Sequence, residues 1–95
     1  MKLYVLVRDN LSKSQQGVQA GHAVAEIILR NSADLAWNNG TLVYLKANKT
    51  SFDTTLKELE GYTIFREPDI GNTITALALL GTDKVVEYFK NFKLV

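Results

Sequence analysis

The sequence predicts an α/β protein: a three-layer α/β/α sandwich on a four-stranded mixed sheet, with strand four antiparallel to the rest. Three observations lead there. Leu3 to Val7 is an unbroken apolar run, and Ile74 to Leu80 is apolar or small everywhere except Thr75, as suits strands covered on both faces. The chain opens with two successive strand-helix-strand units, which join parallel strands through right-handed crossovers. No helical segment separates strand three from strand four, so the last strand has to reverse direction.

Each element has its own signal. Leu3 to Val7, β-branched and aromatic in type, is a central strand that runs into Arg8 and Asp9. Ser12 with Gln15 three positions later is a capping-box signature, and the apolar run to Leu29 gives a helix of about four to five turns. Ala20, Gly21 and Ala23 would let that helix lie close on a sheet. Ser32 to Trp37 reads as a short second helical piece, closed by the turn Asn38-Asn39-Gly40. Thr41 to Ala47 is strand two. Thr50 or Ser51 then caps a helix whose Phe52, Leu56 and Leu59 share one face, and Gly61 ends it. Tyr62 to Phe65 forms strand three, and after strand four Thr82 caps a last helix with Val85, Val86 and Phe89 on one face.

Composition bounds the function classes. The chain has 95 residues, 46% hydrophobic and 22% charged, which fits one globular domain over residues 1–95. It contains no cysteine, so a thiolate metal site or a cysteine nucleophile is out of reach. One histidine and scattered carboxylates make a metal site improbable. No phosphate-loop or dinucleotide signature occurs, and no cofactor is indicated. A net charge of +1 does not announce a nucleic-acid binder. With no apolar run near the ~20 residues of a membrane span and no signal-peptide pattern, a cytoplasmic protein without a membrane partner is the expectation.

Two polar islands stand out against this background. Gln15, Gln19 and His22 fall at i, i+4 and i+7 along one stripe of the first helix, inside an otherwise apolar run. Arg66 through Thr73 breaks the chain between two apolar runs, where a loop on a rigid scaffold would carry side chains to a site. In an open α/β sheet ligands bind beyond the carboxyl ends of the parallel strands. Arg8, Lys46, Lys49 and Arg66 all belong to that edge, and Lys13 lies near it on the helix leaving strand one.

These residues resemble the type-2 peptidyl-tRNA hydrolases, the archaeal and eukaryotic kind, in a short, divergent, phage-like form. Gln19-Ala20-Gly21-His22-Ala23 looks like the family's Gln-x-x-His-Ala motif, and Asp69-Ile70-Gly71-Asn72-Thr73 is similar to its Asp-x-Gly-x-Thr loop. Val7-Arg8-Asp9 and Leu79-Leu80-Gly81 match the ends of its first and fourth strands. The resemblance runs the length of the chain. It implies hydrolysis of the ester between a peptide and tRNA, without a cofactor, with Gln19, His22, Asp69 and Thr73 as the catalytic set. Arg8, Lys13, Gln15, Lys46, Arg66 and Gly71 would then hold the substrate. It also implies tRNA or peptidyl-tRNA as the partner, and leaves a homodimer open. Two features depart from the family: Gln15 stands where its lysine is expected, and the loop after Thr73 is nearly absent.

Ester hydrolysis needs an oriented water, a group to move its proton, and donors for the developing oxyanion. His22 or Asp69 would handle the water, while the Gln19 amide and Thr73 hydroxyl would donate to the carbonyl oxygen. Plainer readings stand beside these. His22 can be a helix histidine satisfied by a neighbour, and Gln15 the capping-box partner of Ser12. Asp69, Gly71 and Thr73 can be only a turn, with Gly71 at positive φ. Arg8 and Arg66 can pair with Asp9, Glu67 or Asp69 and simply order the loop. A catalytically silent relative that binds RNA or protein is the alternative function.

Overall fold

The computed structural model describes residues 1–31 and 34–95. The strands are β1 (Leu3–Arg8), β2 (Leu42–Ala47), β3 (Thr63–Glu67), β4 (Thr73–Leu80) and β5 (Lys93–Leu94). The helices are α1 (Lys13–Asn31), α2 (Lys49–Glu58) and α3 (Asp83–Phe89). The short helix expected over Ser32 to Trp37 begins on Ser32 and Ala33, which lie outside the described residues; Leu35 to Trp37, which are described, are not helical.

One sheet takes the order β3-β4-β1-β2-β5, with β1 and β2 parallel and β4 antiparallel to both β1 and β3. The reversal of strand four is therefore as the missing crossover predicts. The four-strand expectation needs correcting, because β5 adds a fifth strand on the outer edge of β2. A two-residue strand carries no readable period. Its place comes from the pairing of Leu94 with Leu45 and Lys93 with Lys46, extended by the Val95 amide donating to the Tyr44 carbonyl at 3.0 Å.

Alternation along the strands divides the core. Tyr4 and Leu6 of β1 join Leu45, Leu77 and Leu79 in a cluster with Phe52 and Leu59 of the α2 segment and Val85 and Phe89 of α3. Leu3, Val5 and Val7 join Ala76 and Ala78 in a second cluster with Ala20, Ala23 and Ile27 of α1. The helix ends follow their chemistry. Ser12 Oγ accepts from the Gln15 amide at 3.2 Å, and Thr82 Oγ1 from the Val85 amide at 3.4 Å. The α2 cap is Asn48 rather than Thr50 or Ser51: its Oδ1 accepts from the Ser51 amide at 2.8 Å. In a run of consecutive capping-competent residues, sequence alone does not say which one turns the chain. Val86, expected on the packed face of α3, is exposed.

Gly81, just beyond β4, touches β1 closely. A Cβ there would stand 2.9 Å from Tyr4 Cε1 and 3.0 Å from the Lys2 carbonyl oxygen, while the Gly81 amide donates to that same oxygen at 2.7 Å. Gly81→Ala should therefore lower the urea midpoint, costing about 1–3 kcal/mol as an overpacked contact. An unchanged midpoint would mean that β1 and β4 separate freely at this end.

Candidate functional site

The polar stripe of α1 meets the end of the β3–β4 hairpin. Gln19 is 1% exposed, and its amide is used on both sides. Nε2 donates to Glu67 Oε2 at 2.7 Å, with Gln15 Oε1 a more distant acceptor at 3.5 Å; Oε1 accepts from Thr75 Oγ1 at 2.5 Å. Glu67 Oε1 also accepts from the Asp69 amide at 3.4 Å. A buried amide thus links a carboxylate on β3 to a hydroxyl on β4. Burying that many polar groups is tolerable only when each has a partner.

A bulge makes this link. Phe65 pairs with Ala76 but Arg66 pairs with Ile74, so Thr75 has no partner across the ladder. Ile74 packs with the α2 and α3 cluster and Ala76 with the α1 cluster. The extra residue lets Thr75 share the side of Ala76 and reach Gln19. β3 also continues through Arg66 and Glu67, and β4 begins at Thr73, so both ends of the second polar island are strand. Between them lies one 3₁₀ turn, Pro68–Ile70, closed by Gly71 at φ 61° and Asn72 at φ 59°.

His22 is exposed on α1, its ring stacked on Phe65 of β3 at 4.4 Å between centroids and 6° between planes. Asp69 is exposed on the turn, and the Thr73 hydroxyl donates to the Ile70 carbonyl at 2.7 Å. Gly71 and Gln15 are exposed nearby on the turn and the helix. The structure therefore joins the helix and the turn through Gln19, Glu67 and Thr75, with Phe65 under His22. Glu67 and Thr75 were not in the expected catalytic set. A signal for Thr75 was present, since it is the one polar residue in an otherwise apolar strand. Glu67 lay within the Arg66–Thr73 island, but nothing in the sequence set it apart there as the partner of Gln19.

The basic residues at the strand ends find partners within the protein in two cases, Arg8 and Lys49, which share Asp53. Arg8 Nε donates to the Ile74 carbonyl at 2.7 Å and Nη2 to Asp53 Oδ1 at 3.0 Å, and its guanidinium lies 4.2 Å from the Phe52 ring centroid. Asp53 also takes Lys49 at 3.0 Å. Arg66 Nη1 donates to the Asn72 carbonyl at 3.2 Å. Lys13 is exposed at the start of α1, and Lys46 is half-buried on β2.

Two carboxylates are held below their ordinary range. For Glu67 the main cause is the Gln19 amide; partial burial opposes it, and the Asp69 amide and nearby His22 add to it. For Asp53 the causes are the hydrogen bonds from Lys49 and then Arg8. A carboxylate whose folded pKa is depressed adds stability that is complete above its unfolded pKa, about 4, and is lost as pH falls through the folded value. Urea titrations should show stability falling below about pH 4–5, with a shallower fall in Glu67→Gln and Asp53→Asn. Identical acid profiles in all three proteins would contradict this assignment.

No family model and no curated protein matches the chain. Among solved structures, a protein of unknown function from Agrobacterium tumefaciens matches with a TM-score of 0.68 at 15% identity, covering 99% of this chain and 96% of that one. This likeness is one of fold. Among the described residues no helix is long and apolar enough to cross a membrane.

Proposed function

We propose that this chain is a peptidyl-tRNA hydrolase-like esterase, with its chemistry on the surface where His22 stands beside Glu67. The reading also takes the sheet as the middle layer, with α1 on one side and α2 and α3 on the other. Its main support is the buried Gln19 amide bonded to Glu67 at 2.7 Å and Thr75 at 2.5 Å, which holds the Glu67 carboxylate within electrostatic reach of the exposed His22 imidazole. A base oriented and electrostatically supported by a third group is the general logic of activated water. His22, or Asp69 on the turn, takes a proton from water as its oxygen adds to the ester carbonyl. The same proton then passes to the departing ribose oxygen. Gln19 is a positioning residue in this scheme, because its amide is already engaged inside the protein. Lys13, Gln15 and Gly71 border the substrate, and tRNA is the partner.

A second reading keeps the fold and drops the catalysis, leaving an RNA- or protein-binding module. It is favoured by the Thr73 hydroxyl already donating to Ile70, by Arg8 bound to Asp53, and by Gln15 in the lysine position. A release assay on peptidyl-tRNA separates the two. The esterase reading expects release, increased by Gln15→Lys. Absence of release in both the parent and Gln15→Lys would leave only the binding module.

A further inference from the structure

A second polar feature lies on the other side of β1. Asp9, Lys46, Ala47, Asn48, Ser51, Asn91, Phe92 and Lys93 surround a cleft of about 350 Å³, within the range of small-ligand sites. Its position follows from the topology. The helix after β1 packs into one core cluster and the helix after β2 into the other, so the chain leaves the ends of these adjacent parallel strands in different directions. The crevice at such a switch point, outside the carboxyl ends of the strands, is where open α/β sheets bind ligands.

The charge arrangement selects the ligand. Lys46 and Lys93 are direct partners across the antiparallel β2–β5 pair, so their side chains leave the same face about 5 Å apart at Cβ. Like charges in that position repel. Among the described residues neither ammonium lies within salt-bridge distance of a carboxylate. An anion between them would turn the repulsion into attraction. Ser51 and Asn91 line the cleft from the α2 and α3 side of the sheet, across from the face that the two lysine side chains leave, and Asp9 supplies one carboxylate. A carboxylate disfavours a bare anion but accepts hydrogen bonds from sugar hydroxyls, as in dinucleotide sites.

We propose that this cleft binds a ribonucleoside 5′-phosphate, free or at an RNA terminus, with phosphate between Lys46 and Lys93 and ribose hydroxyls at Asp9. The site is independent of the esterase reading. β2 is three strand spacings from β3, about 14 Å, so binding here can be measured whether or not any ester is cleaved.

The test is an NMR titration of the full chain at low salt with AMP, inorganic phosphate and tRNA. AMP should shift the amides of Lys46 to Ser51 and Asn91 to Lys93. Lys46→Gln and Lys93→Gln should each weaken AMP binding about tenfold or more, the loss of one charge-assisted contact, while Lys93→Arg retains it. Asp9→Asn should shrink the preference for AMP over inorganic phosphate. Displacement of AMP by tRNA would support the site with an RNA terminus as the source, and failure of displacement would support it with a free nucleotide. Phosphate binding as tightly as AMP would overturn the proposal. So would shifts confined to the His22 and Thr73 surface, or unchanged affinity in both lysine variants.

Discussion

A His22→Phe variant is expected to keep its fold and lose roughly 10²- to 10⁴-fold in peptidyl-tRNA hydrolysis, the usual contribution of one general acid or base. Phenylalanine preserves the face-to-face stack on Phe65, so α1 stays seated against β3 while both ring nitrogens disappear. His22→Ala would remove the stack as well, and an aromatic pair is worth about 0.5–1.5 kcal/mol. Comparing the two variants separates chemistry from packing. Full turnover in His22→Phe would take the imidazole out of the mechanism and leave Asp69 as the base.

The second large effect concerns stability. Gln19→Leu should cost about 1–3 kcal/mol from the stranded Thr75 hydroxyl alone, because a buried donor without an acceptor loses its full desolvation free energy. At this chain length each kcal/mol lowers Tm by about 4–8 °C. Thr75 is itself 1% exposed, so water cannot readily replace the missing amide. Adding Thr75→Val to Gln19→Leu should return part of the loss, since replacing both partners with apolar groups of similar shape is nearly neutral. The cycle reads the coupling directly. If the two substitutions add within about 0.5 kcal/mol, the residues are uncoupled and the 2.5 Å contact does not hold the junction.

The same junction explains why part of the site was legible and part was not. A mid-helix amide on an apolar stripe signals a buried partner, and Gln19 carried that signal plainly. Nothing in the chain says that the partner is Glu67, because identifying it requires knowing that β3 runs two residues past Phe65. Asp69 and Thr73 belong to residue types that turn chemistry and site chemistry share, so the sequence alone does not separate the two roles. Thr73 proves to be bonded within its turn. Arg8, at the carboxyl end of β1, looked free to meet a ligand; alternation along the strand instead turns it toward Phe52 and Asp53.

Sequence by itself determined the run of elements from β1 to α3, apart from the helical piece expected before β2, together with the caps at Ser12 and Thr82 and the reversal of strand four. These follow from local periodicity, capping chemistry and the absence of a crossover, all of which act over a few neighbouring residues. Only the tertiary structure decided the edge pairing of β5, the meeting of Lys46 with Lys93, and the contact of Gln19 with Glu67 and Thr75. A one-residue bulge places Thr75 on the same side as Ala76, and a two-residue strand draws a lysine beside another. Such events depend on register between segments distant in sequence, where a single-residue slip exchanges the two faces of a strand.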